Sequence, residues 1–555
     1  MNKILIIITL ISAQLVSKDL INILETELNR SFEGLKNEET PPYYIGYAVT
    51  ETEEIRITSS FGHIVSDLEN RSRILDIDLR VGERQLDNTH IIRGESFSFA
   101  SGSSSPELSI ENEEMAIRQA IWKATDSHYK NAIETLDKVL TNKKVKIKEE
   151  DNSPDFSVDE VYTENLGKAP KINVDKTKWT AELNKLSSMF LAEPWLYTGT
   201  VSFNVEHITK YFVDTEGRKL VWPETYARIS VYAKTKADDG MSLPLYKTFF
   251  SYEDKNLANS DEITKDIEEL IATLNLLKTA DIMGTYSGPA ILSGEAAGVF
   301  FHEIFGHRVE GHREKDPNSS QTFKKSMGKE ILPDFINVIF DPTKRSLKGN
   351  EISGNYPFDD QGIKAEKVIA VEDGKFKNFL MSRSPIDNFP KSNGHGRRQP
   401  GRDAVSRQSN LIVDAKTTVS IIELKDKLRE LCKKEDKEFG LFFDVVQGGF
   451  TFTNRTIPNA FNVLPLVVYK IFTDGRPDEL VRGVDLIGTP LTTFSNIVAA
   501  ANDIGVFNGI CGAESGSVPV SACSPTLLVS NIEVQKKQKS QAKLPVLESP
   551  IKQTP

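Results

Sequence analysis

The stretch Ser293–Arg313, SGEAAGVFFHEIFGHRVEGHR, decides how the rest of this 555-residue chain is read. Ser293 is a good N-cap and Glu295 stands in the first turn. Apolar residues then dominate (Ala296, Ala297, Val299, Phe300, Phe301, Ile304, Phe305), which predicts a mostly buried helix. The same helix carries His302, Glu303 and His307, in a chain with only eight histidines. Burying two imidazoles and a carboxylate is costly unless something compensates their desolvation. A metal ion would do so.

The spacing sets a condition on that ion. In H-E-x-x-H the histidines are four apart and share a helix face. Here they are five apart, roughly 140° around a regular helix of about 3.6 residues per turn. Both reach one ion only if the helix widens locally, as in a π-bulge, or ends near Gly306. Gly298 and Gly306, four residues to either side of His302, are expected to leave room above its ring. Glu303 then stands beside the ion as candidate general base. The opposing reading is a core helix whose histidines are satisfied by ordinary hydrogen bonds.

Outward from the helix, GEAAGVFFHEIFGHRVEG resembles the metal-binding segment of the TldD/PmbA family, metallopeptidases with an H-E-x-x-x-H signature. Tyr356–Arg383 and Asn393–Arg398 (NGHGRR) are similar to that family's central segments. Leu480–Asp503 and Gly509–Val534 (GICGAESGSVPVSACSPTLLVSNIEV) are similar to its C-terminal end. The match covers about 283 to 534, with fainter similarity upstream.

The resemblance implies one Zn2+ per chain on His302, His307 and the Cys511 of GICG. It also implies unfolded or short peptides as substrates, taken as extended strands, and a homodimer or a heterodimer with a related subunit. Because the motif is retained, the chain resembles the catalytic partner.

A two-histidine zinc site needs a third ligand and an open fourth position for water. Cys511 lies in a Gly-rich turn, with Gly509 and Gly512 beside it, where a thiolate can approach an ion. Two competing readings stand. A Cys511–Cys523 disulfide would remove the ligand in an oxidising compartment. His312, five residues past His307, would be a substitute ligand; the family carries an acidic residue near this position, so His312 is a departure. Glu310 is a candidate to orient an imidazole N–H.

The loop Arg383–Arg407 is a basic island, with Arg383, Lys391, Arg397, Arg398, Arg402 and Arg407. Within it, Gly394-His395-Gly396 suggests a backbone that something approaches closely. His395 and one of the paired arginines, with Arg397 carried as the candidate, are read as stabilising an oxyanion or holding a peptide carboxylate. A solvated charged loop is the opposing reading.

Length and composition bound the rest. The chain is long enough for two or three domains with proper cores. A net charge of −11 argues against nucleic acid as a partner. Three cysteines (Cys432, Cys511, Cys523) are too few for a disulfide framework.

Residues 1–17 read as a signal peptide, with Lys3 before the apolar run Ile4–Val16. The chain would then be exported, periplasmic or secreted, without stable membrane insertion after removal of the signal; otherwise it is cytoplasmic, as the resemblance implies.

Residues 18–282 are expected to form an N-terminal α+β region with helices over 19–36, 111–145, 179–190 and 260–277. Its strands are expected at 43–50, 54–65, 73–81, 198–213, 227–233 and 245–252, with a surface connection over 149–176. By resemblance this region shapes the cleft and contacts a partner.

Residues 283–535 are expected to be the metallopeptidase domain, a large mainly antiparallel sheet or open barrel carrying the metal helix. Asp373-Gly374 and Asp474-Gly475 mark hairpins, and strands are expected to straddle Gly448-Gly449. Residues 536–555 are expected to be a disordered tail.

The fold class is therefore α+β. The function implied is a zinc-dependent peptidase in which Glu303 activates a metal-bound water. The alternative is a non-catalytic peptide-binding or assembly subunit.

Overall fold

A computed structural model describes residues 19–92, 105–145, 151–451, 453, 461–488, 494–537, 544–545 and 547–553. The signal-peptide reading lies outside them. So does much of the 536–555 tail, of which Pro550–Gln553 forms one 3-10 turn.

The fold is α+β. Its helices are α1 (Leu20–Leu35), α2 (Glu114–Val145), α3 (Lys176–Ser188), α4 (Ser260–Thr279), α5 (Gly294–Ile304), α6 (His312–Lys315) and α7 (Ile421–Lys434). In the first half, Pro42–Ser60 and His63–Glu83 form one long hairpin rather than the three short strands expected. The two-residue loop is Phe61-Gly62, both at positive φ, so the strands run unbroken on either side of it.

Pro42–Ser60 then pairs with Thr198–Asp214, and Thr198–Asp214 with Lys219–Lys236, in a seven-stranded sheet. One core packs α1 and α2 against this sheet. Another holds α3 and α4 and takes in Leu466 and Val467 from the second half. The stretch expected as a surface connection is partly inside: Phe156 is fully buried, and Thr163–Asn165 adds to the sheet. Three guanidiniums lie over the Phe156 ring, those of Arg383, Arg80 and Arg84.

Among the described residues the second half contains two large sheets and two short two-stranded ones, not the single large sheet expected. Strands Phe439–Thr451, Tyr286–Leu292, Leu527–Lys536, Val484–Gly488 and Phe461–Phe472 pair in sequence, and the last returns to the first, closing a small ring. The other sheet runs Lys375–Phe376, Val368–Glu372, Ile336–Phe340, Asn410–Ala415, Gly516–Ser524, Gly505–Ala513. The Asp373-Gly374 hairpin forms as expected, with both residues at positive φ. Gly448-Gly449 is not a turn: one strand passes through it with a register shift.

Helix α5 is sandwiched between the ring strand Phe439–Thr451 and the pair Gly505–Ala513/Gly516–Ser524. Its apolar residues fill the largest core, with Phe494, Phe323 and Phe340 around Phe300, Phe301 and Phe305. The two glycines do not leave a void above His302. A Cβ at Gly298 would lie 2.6 Å from the Ala522 carbonyl oxygen, and one at Gly306 would overlap the Gln408 side-chain amide. Gly298 thus lets a helix lie directly on a strand backbone.

Candidate metal centre

Helix α5 starts as the sequence predicts, with the Ser293 hydroxyl accepting from the Ala296 N–H. Its end meets the geometric condition set by the five-residue spacing. There is no π-bulge: the helix stops at Ile304, Phe305 is the C-cap, and Gly306–Arg308 continue as a 3-10 turn. That tightening turns His307 back toward His302, and their ring centroids lie 4.9 Å apart, nearly perpendicular. The Arg308 guanidinium donates to the Glu303 and Ile304 carbonyls (2.7 and 3.1 Å), placing a cation at the helix C-terminus.

Cys511 comes from the edge strand Gly505–Ala513, and its Sγ lies 3.5 Å from His307 Nε2. One donor atom each from His302, His307 and Cys511 falls within 4.8 Å of the others, and all three residues are buried. Zinc bound at about 2.0–2.3 Å to nitrogen and sulfur in tetrahedral array sets neighbouring donors roughly 3.3–3.8 Å apart. The donor set therefore fits such an ion with small adjustment.

The electrostatics agree. Burial alone would push the Cys511 thiol up, but His307 and His302 beside it hold it well below the usual thiol range. Against the effect of burial, Cys511 and Glu310 push His307 well above its ordinary value. A thiolate paired with an imidazolium in a buried site is an arrangement a divalent cation can replace by displacing the proton.

The competing readings of Cys511 separate cleanly. All three cysteines are free. Cys511 faces Val518 across the strand pair, whereas Cys523 faces Val506, five residues further along. At about 3.4 Å per residue that separates them by roughly 17 Å, beyond the reach of a disulfide. His312 does not join the three donors; its Nε2 engages the Glu514 carboxylate.

Behind the donors lies a buried charge network only partly foreseen. Glu310 is fully buried, and its Oε2 lies 3.3 Å from His307 Nδ1. The Arg313 Nε and terminal N–H groups donate to the same oxygen at 2.9 and 2.8 Å. Arg407, also fully buried, brings its Nε within 3.6 Å of Glu310 Oε1 and donates to the Cys511 carbonyl at 2.7 Å. Burial would raise the Glu310 carboxyl, but His307 and Arg313 overcome it and lower it to about 2. Arg407 thus touches what positions His307 and what positions Cys511. In sequence, Arg407 is only one of a run of loop cations.

The donors open onto a cavity of about 1010 Å³. Glu303 lines it, as do Phe450, Phe507, Ile510, His312 and Arg313. Burial pushes the Glu303 carboxyl up, partly opposed by His302 and His307. Gly449 explains the glycine pair in its strand: a Cβ there would lie 2.6 Å from Glu303 Cγ, so the bare backbone lets the strand close over that side chain.

His395 and Arg397, read from sequence as oxyanion or carboxylate donors, are not brought to this cavity. His395 is fully buried elsewhere, with Nδ1 on the Asn393 carbonyl (3.0 Å) and Nε2 on the Ser409 hydroxyl (3.1 Å). Burial lowers it to about 3, so it stays neutral. Arg397 donates to the Gln408 and Pro519 carbonyls (2.7 and 2.8 Å) and stacks on Tyr356. Most of the basic island is likewise internal: Arg383 pairs with Glu216 and Asp159 of the N-terminal region, clamping the two halves together. The cations look like a loop in sequence because their acidic partners are distant along the chain: Glu216 lies 167 residues from Arg383, and Glu310 lies well upstream of Arg407.

Residues 284–536 match the PmbA/TldA metallopeptidase C-terminal domain. A metalloprotease of Archaeoglobus fulgidus is 29% identical over 268 residues, 48% of this chain and 58% of that protein. This chain thus spans little more than half the length of that relative. A zinc metalloprotease TldD homolog of Saccharolobus solfataricus is 23% identical over 421 residues, 74% of this chain and 86% of that one. Among solved structures, TldE from Thermococcus kodakarensis shares the fold with a TM-score of 0.57 and 13% identity, over 92% of this chain and 100% of that one. Among the described residues, no helix is long and apolar enough to cross a membrane.

Proposed function

Because the chain belongs, through residues 284–536, to the TldD/PmbA family, we propose that it is a zinc-dependent peptidase acting on unfolded or short peptides. The observation that carries this reading is the set of three buried donors, His302, His307 and Cys511, at the wall of a cavity that Glu303 also lines. His302, His307 and Cys511 would hold the ion, with Glu310 orienting His307 through its Nδ1. Bound there, zinc would supply Lewis-acid polarisation of a peptide carbonyl and lower the pKa of a coordinated water.

The chain's own residues do the rest. Glu303 takes the proton of the attacking water and returns it to the leaving amine. Phe450, Phe507 and Ile510 give the cavity apolar surface on which a peptide side chain can rest, and the closed strand over Glu303 limits water. A purely binding subunit is the less favoured reading, because it leaves a buried glutamate beside three metal donors without a role.

The test is hydrolysis of an unfolded polypeptide by the zinc-loaded chain, run over a range of protein concentrations because the family resemblance implies a homodimer or a heterodimer with a related subunit. Cleavage should disappear with a chelator and return with zinc. Cleavage indifferent to the chelator would refute the proposal.

A further inference from the structure

Helix α5 ends where its two histidines need it to end, and a side chain from a distant segment meets that end. The helical ladder stops with the Phe305 N–H on the Phe301 carbonyl at 2.9 Å. Running on as α-helix, Gly306, His307 and Arg308 would donate to the carbonyls of His302, Glu303 and Ile304. Side chains take all three. The Arg308 guanidinium holds those of Glu303 and Ile304, and the Gln408 Nε2 donates to that of His302 at 3.3 Å. Arg308 belongs to the turn itself, whereas Gln408 arrives from 106 positions beyond His302 and constrains the turn from outside.

Gln408 is fully buried, and its Oε1 has no hydrogen-bond partner among the described residues. A buried amide left half-satisfied calls for an explanation. Its orientation is fixed, because turned over it would set Oε1 against the His302 carbonyl oxygen. Its backbone is held as well: the Gln408 carbonyl accepts from Arg397 at 2.7 Å. Arg397, which does not reach the metal cavity, thus holds the segment that carries Gln408. The amide also lies so close to Gly306 that a Cβ there would overlap it. In H-E-x-x-H that position belongs to the second histidine. Here Gln408 fills the space of that missing side chain.

Resting on the three-donor reading above, we propose that Gln408 is a positioning residue of the metal centre. By taking the His302 carbonyl and the space beside Gly306, it stops α5 and turns His307 onto the ion that His302 holds. Without it the helix is free to run on through Gly306, and the two imidazoles part by roughly 140°. Gln408 acts on the ion only through His307.

The probe is the metal alone, added to the full chain as Zn2+ in competition with a calibrated chelator and as Co2+ read by visible absorption. Gln408→Ala should weaken zinc about 10–100-fold, the size of effect seen for residues that orient metal ligands. The cobalt chain should keep its thiolate charge-transfer band, because Cys511 stands on another element. The intense ligand-field bands of a four-coordinate site should fade as His307 leaves the set. A general loss of packing would not separate the two signals.

A double variant distinguishes positioning from core filling. Gly306→Ala alone should destabilise the chelated chain in urea, because its Cβ overlaps the amide. Adding Gln408→Ala should restore that stability, alanine being the better helix former, while zinc stays weakened because α5 now continues. Zinc affinity and a cobalt spectrum equal to wild type in either Gln408→Ala chain would overturn the proposal and leave the three-donor reading intact. A double variant that does not fold would overturn it too, by making Gln408 a support of the core alone. A wild-type chain that binds neither zinc nor cobalt would overturn the three-donor reading, and this one with it.

Discussion

Glu303→Gln is expected to lower peptide hydrolysis on the order of 10³-fold while the zinc content stays at the wild-type level. The change keeps the side chain's length and shape, so the close packing of Gly449 against Glu303 Cγ survives, and none of the three donor residues is altered. What is removed is the capacity to accept a proton beside the donors. The check is kcat/KM on an unfolded polypeptide together with metal analysis of the same preparation. Hydrolysis within a few-fold of wild type would show that another group takes the proton. Zinc lost along with activity would make Glu303 a support for the ligands.

The second large effect is structural and needs no substrate. Glu310→Ala removes the one carboxylate that meets Arg313, Arg407 and His307 inside the protein. Arg407 is fully buried and would be left as an uncompensated charge, so the substitution should cost about 3–5 kcal/mol of stability. Because Glu310 also orients His307, zinc affinity should fall about 10–100-fold. Urea unfolding of the chelated chain reads the first quantity, and competition with a calibrated chelator reads the second. Glu310→Gln, which keeps a polar partner for His307, should fall between wild type and alanine on both. An alanine variant as stable as wild type would mean that the network is not the framework of the site.

These two side chains were legible in the sequence to different degrees, for a physical reason. His302, Glu303 and His307 share one helix and the turn after it, so their meeting is a matter of local spacing. The five-residue interval even restricts the backbone to a π-bulge or a stop, and the structure takes the stop at Ile304. Cys511 was placed almost wholly by resemblance, its flanking glycines being a weak local signal, because it reaches the helix from an edge strand 204 positions beyond His307.

Arg407 and Glu514 carried no local signal of their own. Their partners are distant in sequence, and an arginine among other loop cations looks the same whether it faces solvent or Glu310. His395 failed for the converse reason: a histidine between two glycines suggested an approached backbone, whereas the approach is internal, with Gly394 lying against the Lys364 carbonyl. The strands were found where hydrophobic alternation was strong. One strand was split in two where glycine suggested a turn, at Gly448-Gly449, although Gly449 there allows close packing on Glu303.

Metal content of the purified chain, wild type and Cys511→Ala, decides whether His302, His307 and Cys511 hold an ion together. Close to one zinc per wild-type chain is expected, and its loss in Cys511→Ala, since the cysteine is one of the three donors grouped among the described residues. Zinc retained undiminished by Cys511→Ala, or absent from a wild-type chain purified without chelators and offered zinc, would contradict the three-donor site.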